Sequence, residues 1–173
     1  MSKNIFFLSI PIFLLSLACS FPFGDGSLSS PSSDEALETN EEDPLIMLRL
    51  VNDLREKGCP CGRNYMPPTT PLRIHELLNQ TALKHAEDMY TKQFFRHRGS
   101  DGSRVGDRAE RAGYDWQSIG ENISTGYTDV QSAFEAWRTS PDHCKNMMAD
   151  HYQDMGLARK GDYWVQTLGS PGN

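Results

Sequence analysis

The sequence lacks two features that would place it in common functional classes. Its one long apolar run, residues 5–18, is interrupted by Pro11 and falls short of the ~20 apolar residues that a membrane-spanning helix needs. Positive charge is scarce, since 17 Lys and Arg face 23 Asp and Glu and leave a net charge of −6. This acidic balance argues against a nucleic-acid partner and against electrostatic binding to anionic lipid, both of which favour basic surfaces.

Cysteine is also scarce, and no local catalytic or zinc signature is present. The sequence has no H-E-x-x-H or C-x-x-C motif, and we find no serine or cysteine in the context of an activated nucleophile. The one-residue spacing of Cys59 and Cys61 strains a mutual disulfide. The simplest pairing joins one of them to Cys144, and the residues alone leave open which one.

The N-terminal residues read as a targeting segment followed by a tether. Lys3 and the apolar run end in Leu15-Ser16-Leu17-Ala18-Cys19, which resembles a bacterial lipoprotein signal with cleavage before Cys19 and a lipid on its sulfur. The alternative is an ordinary secretory signal with an incidental Cys19. Both alternatives export the chain to a compartment that permits disulfides. We therefore predict a signal peptide at 1–18, a disordered tether rich in Ser, Pro and acidic residues at 19–42, and one folded domain at 43–173.

The periodicity of the folded part predicts helices first and a strand hairpin last. Helices are expected at 45–57, from Leu72 through Met89, near 107–112, and on each side of Ser140, which has the position of an N-cap before Pro141. Residues 120–126 read as an extended, buried segment, and Gly161-Asp162 as the turn of a hairpin. This order, without internal repeats, indicates an α+β fold.

Three side chains stand out as candidate ligands, because each emerges where an ordered element meets a loop. They are His97, Glu121 and His143. His143 falls in the first turn of a helix, where the positive end of the helix dipole favours a neutral imidazole. Glu121 lies in a buried segment and therefore needs a partner. Two neutral histidines and a carboxylate suit Zn²⁺ or another divalent ion with open coordination positions.

From about residue 45 to 171, the chain resembles the bacterial branch of the CAP superfamily, whose domain is also called the SCP domain and which includes cysteine-rich secretory, antigen 5 and pathogenesis-related 1 proteins. The resemblance rests on many motifs in order, among them His85-Ala86-Glu87, Phe94-Phe95-Arg96-His97, Gly120-Glu121-Asn122-Ile123, Ser140-Pro141-Asp142-His143 and Asn146-Met147-Met148. It implies a three-layer α–β–α sandwich around a central, mainly antiparallel sheet.

The same resemblance implies a central cavity lined by two His and two Glu. His97, Glu121 and His143 carry over to three of these positions, whereas Ser140 stands where eukaryotic members have the second glutamate, for which Glu110 is a candidate substitute. The resemblance also implies a disulfide between Cys61 and Cys144, which leaves Cys59 free or exchangeable.

We expect an exported, membrane-anchored binding or interaction module whose cavity could hold a divalent ion. Its expected partners are the membrane, through a lipid on Cys19, and a lipid, glycan or protein ligand. One alternative is a hydrolase in which a metal-bound water, or His97 or His143 as general base, attacks an ester or peptide bond. The other is a structural envelope protein whose histidines only form hydrogen bonds in the core. The absence of a defined nucleophile favours binding over catalysis.

Overall fold

A computed structural model describes residues 42–172. The predicted signal peptide, most of the tether and Cys19 lie outside the described residues. Within residues 42–172 no helix is both long and apolar enough to cross a bilayer. The elements, in chain order, are α1 Asp43–Lys57, β1 Cys59–Cys61, β2 Asn64–Met66, β3 Arg73–Ile74, α2 Glu76–Lys92, α3 Val105–Ala112, β4 Trp116–Ser124, α4 Val130–Thr139, α5 Pro141–Met148, β5 Asp154–Lys160 and β6 Tyr163–Pro171.

Four strands form the main sheet, in the order β3-β5-β6-β4. The β5–β6 hairpin turns at Gly161, which has a positive φ of 59°, as the turn chemistry of Gly161-Asp162 predicts. β4 pairs antiparallel with β6 and places Glu121 opposite Thr167, whereas β3 pairs parallel with β5. The sheet is therefore mainly antiparallel, and the predicted α+β class is confirmed.

Successive residues of β6 enter different hydrophobic clusters. Trp164 and Leu168 of β6 pack with residues of α1 and α4, whereas Val165 between them packs with residues of α2. This alternation is typical of strands that are buried on both faces. The α2 helix lies so close to β5 that a Cβ on Gly156 would collide with the backbone of Leu78. Only glycine fits there without moving the helix.

Two parts of the chain differ from the sequence prediction. Helix α2 begins at Glu76 rather than at Leu72, because the preceding residues form β3. The backbone N–H of Leu72 donates to the Asn52 side chain, and that of His75 donates to the carbonyl of Met155, so this segment is held extended. The segment at 59–71, which lies between the first two predicted helices, contains the short hairpin β1–β2.

The end of α5 is fastened to α1 by a fully buried arginine. The Arg55 guanidinium donates to the carbonyl oxygens of Thr70, Met147, Ala149 and Tyr152, at 2.7, 2.7, 2.9 and 3.3 Å. Burial lowers the pKa of Arg55 to about 10, so the group is still charged at neutral pH. Arg55 thereby ties α1 to three segments that are distant in sequence.

Candidate functional site

A buried glutamate on β4 joins two cationic or polar partners from other elements. The Glu121 carboxylate accepts a 2.9 Å hydrogen bond from His97 Nδ1, in the loop after α2, and a 2.6 Å bond from Arg108 Nη2, on α3. Its side chain is only 2% exposed, and that of Arg108 is 7% exposed. The prediction that Glu121 needs a partner is therefore met by an arginine that the sequence analysis did not single out.

This arrangement fixes the orientation of His97. Because a carboxylate only accepts hydrogen bonds, Nδ1 of His97 carries the proton, and Nε2 keeps a free lone pair when the ring is neutral. Arg108 also donates to the backbone oxygen of His97, at 3.3 Å from both Nη1 and Nη2. The His97 side chain itself is 59% exposed. A buried ion pair thus holds an accessible imidazole with one nitrogen available to a ligand.

His143 is positioned by α5 rather than by a carboxylate. Its backbone carbonyl accepts from Asn122 Nδ2 at 3.3 Å, and a disulfide between Cys61 and the adjacent Cys144 ties α5 to β1. Its Nδ1 atom is buried and has no hydrogen-bond partner. Burial lowers the pKa of His143, and the neighbouring His97 lowers it further. A neutral imidazole was expected here, and burial is the larger physical cause.

His97 and His143 line one polar cleft of about 520 Å³, together with Glu121, Asn146, His151 and Tyr152. A second pocket of about 600 Å³ shares His97 and Glu121 with it. Neither Glu110 nor Ser140 lines these two pockets. Glu110 is exposed on α3, and Ser140 lies at the junction of α4 and α5, where its side chain makes no capping hydrogen bond.

His85 lies behind the cleft and has a structural environment. Its Nε2 bonds the backbone oxygen of Arg96 at 3.0 Å and lies 3.8 Å from Glu121 Oε1, and its side chain is fully buried. Burial lowers the pKa of His85, and the Glu121 charge only partly opposes this effect. This placement gives His85 a structural role behind the cleft.

The cleft also contains residues that the sequence analysis missed. Asn146 Nδ2 donates to Asn122 Oδ1 at 3.0 Å, and Asn122 Nδ2 donates to Gln166 Oε1 at 2.9 Å. This amide chain runs from the cleft into the core of the sheet and supports the carbonyl of His143. Asn122 and Asn146 each stand in a motif that carries the family resemblance, Gly120-Glu121-Asn122-Ile123 and Asn146-Met147-Met148, whereas Gln166 had no such signal.

The residues present fit a metal ion only in part. His97 Nε2 and the imidazole of His143 are suitable nitrogen donors, whereas both oxygens of Glu121 already have partners. Among residues 42–172, three potential ligand atoms lie within 4.8 Å of one another at a place other than this cleft. They are the sulfurs of Cys59, Cys61 and Cys144. Because Cys61 and Cys144 form a disulfide, that cysteine group could bind a metal only after reduction.

Comparison with known proteins places this geometry in a family. An uncharacterized membrane protein of Bacillus subtilis, YlbC, is 32% identical over 148 residues, which are 83% of this chain and 40% of that protein. The chain thus spans less than half the length of this curated relative.

Solved structures share the fold. An extracellular SCP-domain protein of Bacillus anthracis superposes with a TM-score of 0.68 at 22% identity, over 81% of this chain and 43% of the other. NaASP2, crystallised with Zn²⁺, superposes with a TM-score of 0.57 at 16% identity, over 80% of this chain and 84% of the other. The sequence model of the CAP family, described as the cysteine-rich secretory protein family, matches residues 48–167. The chain belongs to the cysteine-rich secretory protein (CAP) family.

Proposed function

We propose that this protein is an exported binding module that uses the cleft between His97 and His143 to engage a polar ligand. The observation that carries the proposal is the pairing of two accessible or half-buried imidazoles in one open cleft, with His97 held by a buried Glu121–Arg108 pair. Such a buried pair is costly to form, and here it orients an exposed side chain. The polar lining favours a glycan or polypeptide over an acyl chain.

A divalent ion such as Zn²⁺ would be held by His97 and His143, and it would supply positive charge for an oxygen of the bound ligand. Glu121 would act behind His97, because a carboxylate that accepts from the second ring nitrogen fixes the tautomer and raises the basicity of the ligand nitrogen. Arg108 neutralises this carboxylate, so Glu121 contributes little negative charge towards a cation. We therefore expect a weak site in which the metal is an optional component of binding.

The protein is proposed to act at a membrane surface, anchored by a lipid on Cys19. The lipoprotein-like sequence that ends at Cys19 supports this proposal. The relative YlbC is named as a membrane protein, and the Bacillus anthracis protein of the same fold is described as extracellular, which is consistent with it. Replacing Cys19 with Ser in the producing cell should move the protein from the membrane fraction to the soluble extracytoplasmic fraction. Retention of the variant in the membrane fraction would contradict lipid anchoring at this residue.

The binding proposal is tested by calorimetric titration of Zn²⁺ into the full chain and into two variants. We expect the His97→Ala/His143→Ala double variant to lose the binding heat while its thermal unfolding stays cooperative. His151→Ala is the matched control, since His151 lines the same cleft and is exposed but contacts no buried carboxylate; it should bind as the parent does. Equal binding by parent and double variant would contradict the assignment, and unfolding of the double variant would favour a purely structural role.

A hydrolase is the second candidate, and the His97–Glu121 hydrogen bond favours it, because a carboxylate-oriented imidazole can act as a general base. The lining of the two pockets contains no Ser, Thr or Cys, so the attacking group would be a water molecule. Peptide and ester libraries, assayed with and without Zn²⁺, test this candidate. Turnover that is lost in His97→Ala and retained in His151→Ala would establish catalysis.

A further inference from the structure

Three cysteine side chains converge where the β1–β2 hairpin meets α5. Cys61 and Cys144 form the disulfide, and Cys59 is the free, buried thiol beside it. The Sγ atom of Cys59 lies 3.8 Å from that of Cys61 and 3.7 Å from that of Cys144. The third sulfur is therefore almost equally distant from the two ends of the disulfide.

This position is poorly suited to disulfide exchange. A thiolate attacks a disulfide along the extension of the S–S axis, so that the leaving sulfur lies opposite the incoming one. Cys59 lies beside the bond rather than on its extension, because its distances to the two sulfurs are nearly equal. Burial also raises the pKa of Cys59 and disfavours the free thiolate that such an attack needs.

The same distances suit two thiolates that share a metal ion. In a tetrahedral site with Zn–S bonds of about 2.3 Å, two sulfur ligands are about 3.8 Å apart. Cys59 already has this separation from both of its neighbours. Reduction would break the Cys61–Cys144 bond, and a separation of those two sulfurs to a non-bonded distance would give the three atoms a triangle with similar edges.

The surroundings favour a soft ion held by sulfur. Leu54, Met66 and Met148 pack around the cysteines, and within residues 42–172 the group of potential ligand atoms at this place consists of the three sulfurs. Burial raises the pKa of Cys59, and the positive charge of Arg138 opposes this effect only in part. Three thiolates and one divalent ion carry a net charge of −1, which a nearby guanidinium compensates in part.

We propose that Cys59, Cys61 and Cys144 form a redox-controlled metal site, distinct from the His97–His143 cleft, that binds one soft divalent ion of the Zn²⁺ class when the disulfide is reduced. A dithiol reductant supplies two electrons and two protons, becomes a cyclic disulfide, and leaves Cys61 and Cys144 as thiols. Binding of the ion then releases the three thiol protons to solvent as three metal–sulfur bonds form. A small-molecule disulfide oxidises Cys61 and Cys144 by accepting their two electrons and, with two protons from solvent, becomes a pair of thiols. The Cys61–Cys144 bond re-forms, Cys59 takes back a proton, and the ion is released.

Both states hold α5 against the hairpin, and this is the consequence for the fold. In the oxidised chain the disulfide makes the connection, and in the reduced chain the ion makes it through the same Cys61 and Cys144. Since His143 precedes Cys144, the cleft keeps one wall in place in either state. The inference does not depend on the proposed function of the cleft.

The test uses the full chain with Cys19→Ser, so that only these three cysteines remain. The protein is reduced with a phosphine, freed of metal, and titrated anaerobically with Cd²⁺, whose thiolate complexes absorb in the ultraviolet. We expect a thiolate-to-metal absorption band that saturates at one ion per chain. Histidine ligands do not give this band, so failure of the cysteine site and failure of the His97–His143 site are distinguished.

Cys59→Ser is the matched variant, because it leaves the disulfide partners intact. In the reduced state it should bind Cd²⁺ at least about tenfold more weakly than the parent, a difference of about 1.4 kcal/mol. The oxidised parent should show no such band. Circular dichroism of the reduced chain with Cd²⁺ should match that of the oxidised chain. A reduced parent without the band, equal affinity in Cys59→Ser, or a reduced chain that stays unfolded with Cd²⁺ would each overturn the proposal.

Discussion

Replacing Glu121 with Gln keeps the shape of the side chain and removes its charge, which isolates the role of the buried ion pair. Arg108 would then retain its bonds to the backbone oxygens of His97 and Ser103 but would face a neutral amide in place of the carboxylate at 2.6 Å. Breaking a buried pair typically costs 3–5 kcal/mol, and the surviving bonds reduce this, so we expect a loss of about 3 kcal/mol in the free energy of unfolding.

Urea unfolding followed by tryptophan fluorescence measures this loss. Glu135→Gln is the control, because its ion pair with Arg138 is about equally short, at 2.8 Å, but exposed; it should change stability by less than about 0.5 kcal/mol. Adding Arg108→Met to Glu121→Gln should recover part of the loss, since the uncompensated charge is removed. If Glu121→Gln is no less stable than Glu135→Gln, the carboxylate is not the counter-ion of a buried arginine and the reasoning fails.

Three further predictions concern the framework around the cleft. Arg55→Met should lower the free energy of unfolding by about 4 kcal/mol, which is about 1 kcal/mol for each backbone carbonyl that loses its donor. Arg49→Met, at an exposed position of the same helix, should cost less than about 0.5 kcal/mol. Equal urea midpoints for the two variants would refute this. In the oxidised protein, Cys144→Ser should lower the free energy of unfolding by roughly 4 kcal/mol, because the disulfide closes a sequence separation of 83 residues. Cys59→Ser should change it by less than about 1 kcal/mol. Equal urea midpoints for the two variants would show that the disulfide contributes nothing. The pKa of His85 is lower in the folded state than its ordinary value, so the unfolded chain takes up the proton first as the pH falls; the stability from the neutral ring is complete above about pH 6.5 and declines below it. The parent should therefore have a lower urea midpoint at pH 5.5 than at pH 7.5, and this difference should shrink in His85→Asn. An unchanged difference would exclude His85 as its source.

Local sequence signals predicted the elements whose determinants are close together in the chain. The Gly161-Asp162 turn with its flanking strands and the helix that begins at Pro141 are found where the sequence places them. The short strand β3 was missed because its partner, β5, is about eighty residues away. An apolar stripe that includes Ile74 also fits a helix, and only the bonds to Asn52 and Met155 show that this segment is extended.

The candidate site shows the same limit. Burial of Glu121 was readable from its segment, and so was its need for a partner, but the identity of that partner was not. Arg108 reaches Glu121 because α3 packs beside β4, which is a tertiary relation without a sequence pattern. The family resemblance supplied the pairing of Cys61 with Cys144, and the position of Cys59 beside both sulfurs became visible only in three dimensions.

The central claim is that Glu121 holds His97 with its Nε2 atom free for a ligand. Long-range ¹⁵N–¹H NMR of the imidazoles in the full chain, recorded at neutral pH with and without Zn²⁺, tests it most directly. Without metal, His97 should show a protonated Nδ1 and an unprotonated Nε2, and on addition of Zn²⁺ the resonances of His97 and His143 should shift while those of His85 stay in place. A His97 ring protonated at Nε2, or a Zn²⁺ response confined to other histidines, would contradict the account.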